Sequence, residues 1–371
     1  MRIGIPTETK NNEFRVAITP AGVAELTHRG HEVIVQAGAG EGSAISDADF
    51  KAAGAQLIAT AEEVWGDAEL LLKVKEPMPA EYPLLHRGQI LFTFLHLAAS
   101  RGCTNALLAS GTTSIAYETV QTPDGALPLL APMSEVAGRL SAQVGAYHLM
   151  RTHGGPPARR GVLMGGVPGV EPAVVVVIGG GNAGYNAARV AGGMGADVTV
   201  FDVDINRLRE LDGKFRTRHS SVYELEDAVK GADLVIGAVL VPGAKAPTLV
   251  TNSLVAHMKS GAVLVDIAID QGGCFEDSRP TTHDDPTFAV HDTLFYCVTN
   301  MPSSVPRTST FALTNATMPY VLKLADRGWQ AACRSDLALA KGLSTHDGAL
   351  LSERVASDLG LAFTDPASIL A

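Results

Sequence analysis

Three observations predict an α/β protein made of two doubly wound parallel-sheet domains. Short apolar runs alternate with helical patterns along almost the whole chain, the order that gives parallel strands with helices on both faces. One run, residues 174–178 (VVVVI), is followed at once by glycines at GxGxxG spacing. Two long helical patterns, over 133–152 and 309–327, stand where the chain would pass between two such units. A chain of 371 residues is long enough for both.

The second unit is organised around residues 174–202 (VVVVIGGGNAGYNAARVAGGMGADVTVFD). Its first five residues are apolar and β-branched, as in a strand buried on both faces. Gly179 permits a tight turn, Gly181 lets a pyrophosphate approach the backbone, and Gly184 allows close helix–strand packing. A helical pattern follows over 182–194, opening on Asn182 and Ala183, and its N-terminus offers unpaired N–H groups to phosphates. A second strand over 196–201 delivers Asp202, placed to accept hydrogen bonds from both ribose hydroxyls of NAD. Both domains are therefore Rossmann-like, but only this one carries the glycine fingerprint.

In chain order, residues 2–5 form a strand. Residues 20–29 form a helix, with Thr19 as N-cap, Pro20 in the first turn and Gly30 ending it. Strands at 31–36, 69–74, 89–94 and 112–117 alternate with helices at 47–53, 61–68 and 98–110. The helix at 133–152, with Ser134 near its start, leads out of this unit, and the Gly/Pro/Arg segment 153–160 is a loop. Beyond Asp202 come helices at 205–211 and 224–230 and strands at 234–238, 262–267 and 293–297. The helix at 309–327 returns to the first domain. The tail carries amphipathic stretches, clearest over 344–356. The expected domains are 1–128 with 307–371 for substrate and catalysis, and 129–306 for the dinucleotide.

The totals exclude several classes. A formal charge of −10 lacks the basic footprint of a nucleic-acid binder. No apolar run nears the ~20 residues that span a bilayer, and the chain opens on a strand rather than a signal peptide. The four cysteines lack CxxC spacing, which points to reduced thiols and a cytoplasmic protein with no metal site.

Ligands of such folds lie beyond the carboxyl ends of strands. Arg15 follows the first strand and offers a fork for a carboxylate. Lys75 follows ELLLKV, where it would neutralise a carboxylate or polarise a carbonyl. His96 ends ILFTFLH, where an imidazole relays protons near neutral pH. Asp270 follows the 262–267 strand, and Gly272-Gly273 would let the backbone approach a ligand. Each has an ordinary structural alternative: a surface ion pair, a solvated lysine, a satisfied histidine, an Asx turn. Leu130 and Met133 are candidate walls for a small apolar pocket.

With these residues in view, the chain resembles the L-alanine dehydrogenase family along essentially its whole length. It is most similar to the mycobacterial members and more distantly similar to the NAD-binding subunit of the proton-translocating nicotinamide nucleotide transhydrogenase. The opening MRIGIPTETKNNEFRVAITPAGV carries the resemblance, with LLLKVKEP, ILFTFLHLA, APMSEVAGR, GGVPGVEPA, VVVVIGGGNAGYNAA, VLVDIAIDQGG and NMPSSVPRTST. It implies a homohexamer that converts L-alanine, NAD and water to pyruvate, ammonium and NADH. It implies Arg15 and Lys75 as substrate-binding residues and His96 and Asp270 as an acid/base pair. Cofactor contacts are implied at Ser134, Asp202, Arg207, Ser220, Val239, Leu240, Ile267, Ala268, Ile269, Asp270, Arg279, Val298, Thr299, Asn300 and Met301. Three departures stand out. Gly180 and Asn182 occupy positions where relatives more often have Ala and then Thr or Val; Gly180 adds flexibility to the loop and Asn182 a polar side chain near the phosphates. Residues 156–159 read as inserted. Residues 213–219 read as shortened by a similar amount. A transhydrogenase-like NAD-binding subunit, a non-catalytic NAD-binding or sensing protein, and a saccharopine-type dehydrogenase are the alternatives.

Overall fold

The computed structural model describes residues 1–151, 160–239 and 246–371. The expected contact Leu240 and the segment 156–159 lie outside these. The chain forms two compact units, Met1–Met133 with Ser303–Ala371, and Ser134–Pro302.

The first unit begins with strands β1 (Arg2–Ile5), β2 (Glu32–Gln36), β3 (Gln56–Ile58), β4 (Leu70–Leu72), β5 (Ile90–Thr93) and β6 (Thr113–Ala116). They lie parallel in the order β3-β2-β1-β4-β5-β6. The chain works outward from β1 to β3, then returns to the other side of β1. The switch between β1 and β4 opens the crevice in which such sheets bind ligands. β4, β5 and β6 are buried along their full length; β4 and β5 are accordingly almost all apolar, while the Thr113 and Ser114 hydroxyls of β6 are satisfied by His346 and Thr345.

The second unit repeats this order. Its strands are β7 (Val174–Ile178), β8 (Asp197–Asp202), β9 (Arg216–His219), β10 (Leu234–Gly237), β11 (Val263–Asp266), β12 (Thr287–Val290) and β13 (Thr293–Tyr296). They run β9-β8-β7-β10-β11-β13-β12, with the switch between β7 and β10.

Neither sheet is purely parallel. β12 is antiparallel to β13. In the first unit β14 (Leu343–His346) adds antiparallel to β6 and turns back into β15 (Ala349–Leu350). The amphipathic stretch expected over 344–356 is therefore a hairpin followed by the helix Glu353–Leu359. Asp347 and Gly348, both at positive φ, make its turn. An Asp-Gly pair is a strong hairpin signal, and it is the cue that sequence reasoning passed over.

The chain crosses to the second unit within the helix Ala131–Leu149, between Met133 and Ser134. Gly138 and Gly145 share one face of that helix. A Cβ on Gly138 would come 2.1 Å from the Ala183 carbonyl oxygen, and one on Gly145 2.5 Å from Leu234. The return falls between Pro302 and Ser303, so the second long helix, Pro306–Ser335, belongs wholly to the first unit. It runs past the expected end at residue 327, and Gly328, at φ 72°, interrupts it there. Thr310 anchors it, accepting the Val16 N–H at 3.1 Å and meeting Ser43 Oγ at 2.8 Å.

Candidate active site

In the first unit the residues read from the sequence gather beyond β1, β4 and β5, three neighbours around the switch. Arg15 is buried and gripped by Glu13: Nε donates to Oε1 at 2.6 Å and Nη2 to Oε2 at 2.5 Å. The bidentate pair fixes the guanidinium plane, and Nη1 points to Met133 Sδ at 3.0 Å.

Lys75 Nζ lies 3.3 Å from His96 Nε2. Burial and the charges of Lys75, Lys10 and Arg15 push the His96 pKa well below its ordinary value, so the imidazole is neutral near pH 7. An ammonium beside a neutral imidazole donates to its lone pair, which puts the ring proton on Nδ1. The His96 ring lies parallel to Phe94, with centroids 5.9 Å apart. His96 is at φ 47° and ψ 41°, a left-handed conformation that costs a residue with a Cβ about 1–2 kcal/mol. That turn uses up 97–99 as a short 3-10 segment, so the following helix starts at Arg101, capped by Ser100, rather than at 98.

Four further carboxylates complete this side, none of them singled out by the sequence. Glu8 accepts the Val74 N–H at 2.6 Å and shares Lys73 with Glu81, at 3.1 and 3.0 Å. Lys73 is fully buried. Burial alone would lower its pKa, but Glu8 and Glu81 outweigh this and raise it. Burial pushes the Glu8 carboxyl up, against the pull of Lys73. Glu76 pairs with Lys10 at 2.5 Å. Glu118, after β6, accepts the N–H groups of Leu95 and His96.

In the second unit the glycine turn has the form a pyrophosphate needs. Gly179 is at φ 98°, and a Cβ there would sit 2.6 Å from the Ala238 carbonyl oxygen. A Cβ on Gly184 would sit 1.7 Å from the Gly179 carbonyl oxygen. Gly181 has nothing within 4 Å of its Cβ position, and the helix Asn182–Gly193 begins there with no side-chain cap. An open glycine at an uncapped helix N-terminus fits a dinucleotide phosphate. Gly180 is not the flexible point expected. Its N–H donates to Asp202 Oδ2 at 2.7 Å, and its carbonyl accepts from Arg207 Nε at 2.6 Å. Asp202 Oδ1 takes the Asp204 N–H, which leaves each oxygen a lone pair for a ribose hydroxyl. The segment 213–219 supplies β9, whose His219 pairs with Asp202, and the Ser220 N–H reaches the Asp202 carbonyl at 2.9 Å.

Asp270 is exposed on the 3-10 turn Ile267–Gln271 of this unit, apart in the chain from Arg15, Lys75 and His96. The residue that shapes its turn is Asp266, also missed. Asp266 is fully buried and accepts from Ala268 N at 3.0 Å, Cys274 N at 2.9 Å and Ser278 Oγ at 2.5 Å. Burial pushes its pKa up against those bonds. The loop itself requires Gly273: a Cβ would meet Ser278 Cβ at 2.6 Å and Asp266 Oδ2 at 2.7 Å. Arg279 stacks over Phe288 at 4.2 Å. Val298 is buried and bridges to Thr281, and Asn300 is at positive φ. The four cysteines are free and buried. No described helix is long and apolar enough to cross a membrane.

A dinucleotide turn in one sheet and a cationic strand-end site in another of the same order describe a two-domain oxidoreductase of the nucleotide-binding class. Comparison with known proteins narrows this. The family models described as alanine dehydrogenase/PNT, N-terminal domain and C-terminal domain, match residues 4–137 and 141–353, and the chain belongs to this family. It is 81% identical to alanine dehydrogenase from Mycobacterium tuberculosis (strain CDC 1551 / Oshkosh) and 79% identical to that of Mycolicibacterium smegmatis, over 100% of each chain. A solved L-alanine dehydrogenase matches with a TM-score of 0.92 and 49% identity over 97% of this chain and 99% of that one. A transhydrogenase from Sinorhizobium meliloti shares the fold, with a TM-score of 0.82 at 24% identity over 94% of this chain and 100% of that one. The expected fold class and family agree with these findings. Membership implies a nicotinamide cofactor.

Proposed function

We propose that this chain interconverts L-alanine and pyruvate with NAD. L-alanine, NAD and water give pyruvate, ammonium, NADH and a proton. The observation that carries the reading is Arg15, Lys75 and His96 grouped at one sheet's switch point, with His96 neutral against Lys75. The nicotinamide, when bound, supplies the hydride acceptor.

The chain's own residues do the rest. Arg15, braced by Glu13, grips the substrate carboxylate, and Lys75 adds a second cation near the reacting oxygen. Water attacks the carbon of the iminium left by hydride loss, and His96 takes its proton. Asp270 orients the water or the departing ammonia. Asp202 accepts both ribose hydroxyls and disfavours a 2′-phosphate, hence NAD over NADP. Ser134, Arg207, Ser220, Val239, Leu240, Arg279, residues 267–270 and residues 298–301 complete the cofactor contacts. The substrate and catalytic domain is the first unit and the NAD domain the second. The protein works as a cytoplasmic homohexamer.

The test is NADH oxidation by the purified chain with pyruvate plus ammonium. Oxidation that needs both, and that fails with 2-oxoglutarate or NADPH, is expected. NADH binding without turnover would replace this reading with that of a non-catalytic NAD-binding protein or transhydrogenase-like subunit.

A further inference from the structure

We infer that Glu118 is a positioning residue for His96: its carboxylate sets the backbone turn that aims the imidazole at Lys75. This rests on the reading of His96 as the proton-handling group. Glu118 stands on the turn Tyr117–Thr119 after β6, the strand beside β5. Its Oε1 accepts the His96 N–H at 2.6 Å, and its two oxygens lie 3.3 and 3.2 Å from the Leu95 nitrogen. Two successive N–H groups converging on one anion form a nest, a backbone concavity that pairs with negative charge. His96 sits in that concavity in the left-handed region, a conformation that persists only when its surroundings over-determine it.

The same segment fixes the ring. Tyr117, the residue before Glu118, meets Phe94 edge-on with centroids 5.1 Å apart, and Phe94 lies parallel to the His96 imidazole at an interplanar angle of 4°. Tyr117 therefore holds the platform and Glu118 the turn. Release of the turn lets residue 96 relax to ordinary backbone angles. Its ring then leaves both Phe94 and the ammonium 3.3 Å away. Satisfying two N–H groups at a strand end is a purely structural role. That role would change stability but not the environment of the ring.

The experiment compares the full chain with Glu118→Gln, His96→Ala and the double variant. Glutamine keeps the size but offers one acceptor, and turns an NH2 toward an N–H donor. We expect kcat for NADH oxidation to fall at least about tenfold in Glu118→Gln, a part of the roughly 10²–10⁴-fold that a positioned acid or base supplies, with a smaller change in the KM for pyruvate. The double variant should be no slower than His96→Ala. The imidazole nitrogen signal of His96, assigned by its absence in His96→Ala, should move in Glu118→Gln. Wild-type kcat with an unmoved signal would overturn the inference, as would a full additional loss in the double variant. Should Glu118→Gln not fold, Glu118→Asp, which keeps the charge and shortens the reach, is read the same way. If the unmodified chain turns over no pyruvate, the functional reading falls, and the imidazole signal alone decides the role of Glu118.

Discussion

Lys75 Nζ approaches His96 Nε2 to 3.3 Å, so the ammonium adds to the burial that keeps the ring neutral. Burial comes first among the causes of its lowered pKa, then Lys75, Lys10 and Arg15. Lys75→Met removes one of these charges, and His96 should then titrate closer to its ordinary value near 6.5. Imidazole signals followed from pH 8 to pH 5 check this: the unmodified ring stays neutral further into acid than the variant.

The same shift has a stability consequence. Below about pH 6.5 the unfolded chain protonates this histidine while the folded chain does not. Stability tied to His96 is therefore fully present above pH 6.5 and is lost as the pH falls toward the lower folded value. His96→Asn, a residue that tolerates positive φ, should lose less stability between pH 7 and pH 5 in thermal melts.

Arg15 and Glu13 are each almost wholly buried, at 2% and 5% exposure, so the guanidinium also neutralises a carboxylate without water. Arg15→Met should destabilise the fold by about 3–5 kcal/mol, the usual cost of orphaning one partner of a buried pair. Urea unfolding measures it. Arg15→Lys keeps the charge but not the fork, and should raise the KM for pyruvate with a smaller loss of stability.

Gly180 and Gly184 should respond oppositely to alanine. At Gly180 the new Cβ meets Leu211 Cδ1 at 2.9 Å and Asp202 Oδ2 at 3.2 Å. A methyl at the end of a flexible side chain can move, and φ there is not positive. Gly180→Ala should leave NADH affinity near wild type and alter stability by no more than about 1 kcal/mol. Gly184→Ala drives a Cβ to 1.7 Å from a carbonyl oxygen and should abolish NADH binding. Fluorescence titration with NADH separates the two.

Lys73 lies between Glu8 and Glu81 with no exposure to solvent. Lys73→Met leaves two carboxylates facing each other and should cost about 3–5 kcal/mol. Adding Glu8→Gln and Glu81→Gln should restore much of that, as read by the urea midpoint.

The parts legible in the sequence were those with a local rule. The glycine spacing with its terminal Asp202 is one, and Arg15, Lys75 and His96 as residues following strands are another. The carboxylates were illegible because their partners are set by strand order. Glu118 meets His96 only because β6 lies beside β5, and Glu8 meets Val74 only because β4 lies beside β1. β9 escaped notice because an edge strand that reads RTRH and is half exposed carries no apolar alternation. Asp266 was passed over for Asp270, since nothing local shows which of two acids four residues apart turns inward.

The buried triad at Lys73 also bears on how such a sequence can drift. Losing Lys73 strands two carboxylates in a place that water does not reach, whereas losing either glutamate leaves the other paired with the lysine. The least costly route to a neutral trio therefore begins at one of the glutamates and not at the lysine. Two of the three lie in the segments that lead to Arg15 and Lys75, so this constraint reaches the strand ends that carry them.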